Sequence, residues 1–115
     1  YKRQAVNSTA TKRIVVSMSN NGTLDFLRPD DVIEISCDLS KDGLKPVTPK
    51  HVPTAQKNMI ASVKEYERLA VAAILQRDKS LAVRALMAHP LVGSYSLAKT
   101  LVEAYLDDKQ FADWQ

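Results

Sequence analysis

The chain predicts an α+β fold, a small antiparallel sheet followed by three helices. Three observations carry this. Apolar residues recur every second position over the first third of the chain, and from Thr54 onward they recur every third or fourth. Turn-forming residues separate the runs, and all the strand-like segments precede all the helical ones, which is the α+β order rather than the alternation of a parallel sheet.

Residues 1–11 are polar and carry no period, so they are expected to be a loose lead-in or a severed connection. The first residue is Tyr1 rather than Met, the expected mark of a processed chain, a trimmed one, or a piece whose upstream part is missing. Residues 12–115 are expected to form a single α+β domain. Residues 12–19 open it as a strand, with Ile14, Val16 and Met18 on one face and Val15, Ser17 and Ser19 on the other. Asn20-Asn21-Gly22 ends the strand, because Asn and Gly tolerate the positive φ of a tight turn. After Leu27, Pro29-Asp30-Asp31 breaks the chain again. From Val32 to Leu39 a half-buried strand alternates Ile33, Ile35, Cys37 and Leu39 against Val32, Glu34, Ser36 and Asp38. Ser40-Lys41-Asp42-Gly43 then provides a hairpin turn, and the return through Leu44 to Val47 is marked as an edge by Pro46.

The helical period starts at Thr54, with Ala55, Met59, Val63, Tyr66, Ala70 and Ile74 as its apolar stripe, and predicts a long helix to about Arg77. Asp78 or Ser80 caps a second helix, Leu81 to Ala88, which Pro90 terminates. Gly93-Ser94 or Ser96 opens a third carrying Leu97, Leu101, Ala104 and Tyr105. Within the long helix, Leu69-Ala70-Val71-Ala72-Ala73-Ile74-Leu75 has no polar face, so it must be covered on all sides. A domain of this size does not readily do that alone, and Leu69, Val71, Ala72, Ala73, Ile74 and Leu75 are therefore interface candidates toward another domain or subunit.

Composition narrows the function classes. An apolar fraction of 45% with 25% charged residues suits a globular protein, and no run approaches the roughly 18 apolar residues of a membrane span. The net charge of +3 is spread thinly, with Lys2-Arg3 and Lys12-Arg13 as its basic pairs, which argues against a nucleic-acid face. Cys37 is the only cysteine, so no disulfide forms within the chain, and a cytoplasmic location is expected.

Chemistry-bearing residues are dispersed. Metal sites need convergent ligands, whereas Cys37, His51 and His89 stand apart; Cys37 is expected to be a buried small hydrophobe and His89 a solvated or capping imidazole. The acids Asp30-Asp31 and Asp107-Asp108 are expected to be caps or solvated charge rather than a hydrolytic pair. Gly22, Gly43 and Gly93 are too scattered for a phosphate cradle or a dinucleotide fingerprint. No residue is therefore assigned a catalytic, cofactor-binding or metal-binding role.

The ordered run of local patterns resembles the C-terminal end of glycoside hydrolase family four, which includes the 6-phospho-β-glucosidases. It comprises Ile14-Val15-Val16 with Asn20-Asn21-Gly22, then Leu27, then Val32-Ile33-Glu34-Ile35-Ser36-Cys37, Gly43 and Pro46. It continues with Tyr66-Glu67-Arg68-Leu69 and Arg84-Ala85-Leu86-Met87-Ala88-His89-Pro90-Leu91, so that residues 12–110 are covered. The order and spacing of these pieces carry the likeness, not any one string. Ser36 stands where members often have Pro, and Leu27-Arg28 where they have Leu-Pro.

The resemblance implies a fold like the C-terminal part of the second domain in lactate and malate dehydrogenase-like enzymes. It also implies a parent enzyme with an N-terminal Rossmann domain that binds NAD, and a divalent metal, typically manganese; a homo-oligomer is expected from the apolar run of the long helix. In that family a hydride passes from the sugar C3 to NAD, the acidified C2 proton is removed, the aglycone is eliminated and water adds. The family's metal-binding Cys and His lie upstream of the Asn-Asn-Gly turn, and Cys37 matches a different position. Asn20 and Asn21 are the polar groups that the resemblance brings nearest the parent's cleft. No nucleic-acid or membrane partner is expected. The rival reading, from a different class, is an independent small α+β interaction module that uses the apolar helix to bind a partner. The reading frame upstream of Tyr1 separates the two.

Overall fold

Alternation in the first third of the chain produces a three-stranded antiparallel sheet in the computed structural model of this protein, which describes residues 11–107 and 111–115. The strands are β1 (Lys12–Ser19), β2 (Val32–Ser40) and β3 (Gly43–Pro46), in the order β1-β2-β3. The register places Ile14 opposite Cys37, Val16 opposite Ile35 and Met18 opposite Ile33, so the apolar positions of both strands share one face. A slip of one residue would turn all of them to the other face, which is why this pattern fixes the pairing. Ile33, Ile35 and Cys37 are buried, and Val16, Met18, Leu24 and Leu27 pack against them. Each buried isoleucine contributes roughly 1.5–3 kcal/mol of transfer free energy.

The hairpin between β2 and β3 pairs Ser40 with Gly43 across Lys41-Asp42, and the Ser40 hydroxyl accepts the Asp42 amide at 3.2 Å. Gly43 sits at φ 108°, a conformation open to glycine and costly for a residue with a Cβ. Pro46 lies on the edge strand, as its missing N–H requires.

The chain divides at Val52–Pro53 into two compact units, the sheet unit and a helical unit. The helices are α1 (Thr54–Gln76), α2 (Lys79–Ala88) and α3 (Tyr95–Leu106), with α1 packed on α2 and α2 on α3. Helix α1 ends because Arg77 turns left-handed at φ 54° and its N–H reaches the Ala73 carbonyl. Asp78 caps α2 through a 3.0 Å bond from the Leu81 amide, and Ser94 caps α3 through a bond from Leu97. At the far end of α2, His89 Nδ1 accepts the Leu91 amide, and the ring meets Tyr66 of α1 edge-on at 4.8 Å. His89 is thus a capping and packing residue.

Small side chains make the helix contacts. Among the described residues, Ala73, Ala85, Ala98 and Val102 are the buried ones of this unit. The stripe of α1 is buried only in part: Ala55 and Met59 are exposed, Tyr66, Ala70 and Ala73 line the space among the helices, and Ile74 lines it while remaining largely exposed. Length accounts for Ala55 and Met59, since α1 runs roughly 35 Å and the partner helices only about 15–18 Å. In α3 the inward line is Ala98, Leu101 and Val102, whereas Leu97, Ala104 and Tyr105 are exposed. Residues 111–115 close the corner between α1 and α2: Gln115 donates to the Arg77 carbonyl at 3.0 Å and accepts from Lys79 at 2.7 Å, and Arg77 pairs with Asp113.

Candidate functional site

Asn20 organises the loop that joins β1 to β2. Its side chain is fully buried, with Oδ1 accepting the Leu24 amide at 2.7 Å. Nδ2 donates toward the carbonyls of Leu24, Leu27 and Arg28 at 2.9, 3.3 and 3.1 Å. One amide therefore satisfies backbone groups from both limbs of the loop and holds Leu24 and Leu27 down on the apolar cluster. Backbone bonds from Asn20 to Asp31 (2.7 Å) and from Asn21 to Pro29 (2.9 Å) close the neck. Asp31, buried, accepts the Arg28 amide at 2.9 Å, which gives this acid a capping role, whereas Asp30 is exposed. Asn21 is exposed, in the left-handed region at φ 44°. The two asparagines singled out from the sequence thus differ in kind, and the loop-staple role of Asn20 was not visible in the sequence.

At the opposite end of the β1–β2 pair from this loop, the sheet carries an exposed cross-strand pair. Arg13 Nε donates to Asp38 Oδ1 at 2.9 Å, with a second bond from the guanidinium to Oδ2 at 3.2 Å. That hydrogen bonding holds the Asp38 carboxyl below its ordinary range, and the bond to Asp38 raises the Arg13 guanidinium.

The apolar run of α1 splits by face. Val71, Ile74 and Leu75 are exposed at 56%, 62% and 78%, Leu69 and Ala72 are half-buried, and Ala73 is buried at 2%. Ala73 therefore faces its own helical unit, which removes it from the interface candidates. An open hollow of about 170 Å³ among the helices is lined by residues that include Tyr66, Ala70, Ala73, Ile74, Ala85 and Trp114.

Cys37 has no exposure, and its thiol lies 3.7 Å from Met18 Sδ and 3.8 Å from the Ile35 carbonyl. It is a core residue, as its alternation predicted. Among the described residues no group of three or more His, Cys, Asp and Glu side chains is placed to hold a metal ion. Of the paired acids at the end of α3, Asp107 is exposed and Asp108 lies outside the described residues. Among the described residues no helix is long and apolar enough to cross a membrane.

Comparison with known proteins fixes the context. Residues 4–92 match the family described as the family 4 glycosyl hydrolase C-terminal domain. The 6-phospho-beta-glucosidase BglT of Thermotoga maritima is 36% identical over 93 residues, which are 81% of this chain and 22% of that protein. The probable 6-phospho-beta-glucosidase of Bacillus subtilis is 29% identical over 92 residues, 80% of this chain and 21% of that protein. A crystal structure of the Thermotoga maritima 6-phospho-beta glucosidase with manganese, NAD+ and glucose-6-phosphate superimposes with a TM-score of 0.75 at 31% identity, covering 94% of this chain and 27% of that one. A 6-phospho-alpha-glucosidase from gut microorganisms, in complex with NAD and glucose-6-phosphate, shares the fold at a TM-score of 0.77 and 24% identity, over 98% of this chain and 25% of that one. The chain spans about a fifth of the length of the curated relatives it matches. A family match over residues 4–92, together with the superposition of sheet and helices, establishes that this chain belongs to the family 4 glycosyl hydrolases as a C-terminal domain.

Proposed function

We propose that this chain is the C-terminal portion of a cytoplasmic 6-phospho-glycosidase, most like a 6-phospho-β-glucosidase, which hydrolyses phosphorylated glycosides with NAD and manganese. The observation that carries the reading is the 36% identity to the Thermotoga maritima enzyme over 81% of this chain. NAD and the metal belong to the part of the parent outside this chain. The residues present do not fit either group: Cys37 is sealed in the sheet core, His89 is committed to a cap, and the described residues gather no ligand cluster. No step of the reaction is therefore assigned to these side chains.

The role of the piece is structural. It supports the substrate domain and contributes subunit contacts through Val71, Ile74 and Leu75, with Leu69 and Ala72 at the margin. Three large apolar side chains exposed on one stretch of α1 support an interface with a neighbouring domain or subunit. Asn20 and Asn21 lie on the side of this reading that faces the parent's cleft, Asn20 as the loop's anchor and Asn21 as its exposed polar tip.

The test is an assay of the isolated chain on aryl 6-phosphoglycosides with NAD, manganese and a thiol reductant. No hydrolysis is expected, because the hydride acceptor and the metal ligands are elsewhere. Turnover above a buffer blank that survives re-purification would overturn the structural role.

A further inference from the structure

The two adjacent asparagines of the loop meet opposite chemical fates. Asn20 is fully buried, with both polar atoms of its amide engaged. Asn21 is exposed at φ 44°, and it precedes Gly22 at φ 82°. A Cβ built on Gly22 would meet nothing within 4 Å, so the space around that backbone is open. Neither the Asn21 side chain nor the Gly22 amide is hydrogen-bonded to a described residue. The turn is held instead by the Asn21 amide on Pro29, at 2.9 Å, and the Thr23 amide on Asn20, at 2.8 Å. Those bonds flank the Asn21 carboxamide and the Gly22 nitrogen without using either.

We propose that Asn21 is a site of spontaneous covalent modification. The Gly22 nitrogen attacks Asn21 Cγ, a bond forms between them, and the Cγ–Nδ2 bond breaks. The proton lost from the Gly22 amide leaves with the carboxamide nitrogen as ammonia, giving a cyclic succinimide. Water then adds across one of the two imide C–N bonds, yielding an aspartyl or an isoaspartyl residue; no oxidant or reductant takes part. Glycine favours the attack because no side chain shields its nitrogen and its backbone turns freely. Either product adds one negative charge at the tip of the loop. The isoaspartyl product also lengthens the backbone by one carbon, between the two bonds that hold the turn. Asn58, inside α1 and followed by Met59, is an internal control: its peptide group is fixed in a helix and its neighbour carries a side chain.

The experiment ages the whole chain at neutral and mildly alkaline pH, folded and in guanidinium, and follows it by trypsin digestion and mass spectrometry. Arg28 precedes Pro29 and resists trypsin, so one peptide, Ile14–Lys41, reports on both loop asparagines. A gain of about one mass unit localised to Asn21, split chromatographically into two products, is expected. In the folded chain it should appear at least an order of magnitude faster than at Asn20 or Asn58, accelerate with pH, and lie within an order of magnitude of the rate in guanidinium. Asn21→Gln should abolish it in that peptide, because the longer side chain closes a less favourable ring. Modification of Asn21 no faster than Asn58, or suppression by folding of more than an order of magnitude, would overturn the proposal.

Discussion

Asn20 shows how one buried amide can set the path of a whole loop. Its carboxamide serves Leu24, Leu27 and Arg28 at once, so removing it leaves several part-buried backbone groups without their partner. Asn20→Ala is expected to destabilise the sheet unit by roughly 2–4 kcal/mol, the sum of lost bonds and unpaired buried groups. Asn21→Ala, whose side chain is exposed, should cost only about 1 kcal/mol, the strain of placing alanine in the left-handed region. Urea unfolding followed on both variants checks the difference, and equal small effects would contradict the staple role. The turn itself was legible, because Asn-Asn-Gly is turn chemistry. Which asparagine is buried was not, because that depends on Leu24, Leu27 and Arg28 folding back over the strand end, a contact no local pattern encodes.

Among the elements, α1 repeats the lesson at a larger size. Its start at Thr54 and its end near Arg77 were readable from periodicity, and so was the alternation that buries Ile33, Ile35 and Cys37 in β2. Its buried face was not, since Leu69 to Leu75 is apolar all round and gives the period no contrast. The side on which α2 packs decides the matter, burying Ala73 and leaving Val71, Ile74 and Leu75 exposed. The same holds for α3, where the small Ala98 packs inward and the larger Leu97 and Tyr105 are displaced outward. A glutamate scan should therefore segregate by face. Ala73→Glu buries an unpaired charge and is expected to unfold the helical unit, a loss of roughly 3–5 kcal/mol or more. Val71→Glu and Ile74→Glu should stay folded by circular dichroism and shift any self-association toward monomer by light scattering. If all three simply unfold, and the parent chain is a strict monomer at high concentration, the α1 surface is not an interface.

At the scale of the molecule, the family and the α+β order were both legible, because each rests on the sequence of patterns along the chain rather than on any single residue. Cys37, His51 and His89 are dispersed in the sequence, and among the described residues no group of three or more His, Cys, Asp and Glu side chains gathers to hold a metal ion. The chain matches 21–27% of the length of its relatives, and the function proposed for it is that this domain completes a larger enzyme rather than acting alone. The direct measurement is a chimera in which the matching C-terminal segment of the Thermotoga maritima 6-phospho-beta-glucosidase is replaced by this chain. It is assayed on an aryl 6-phospho-β-glucoside with NAD and manganese, beside the same host truncated before that segment. The truncated host is expected to be inactive and the chimera to restore turnover; a chimera no more active than the truncated host would contradict the proposed role.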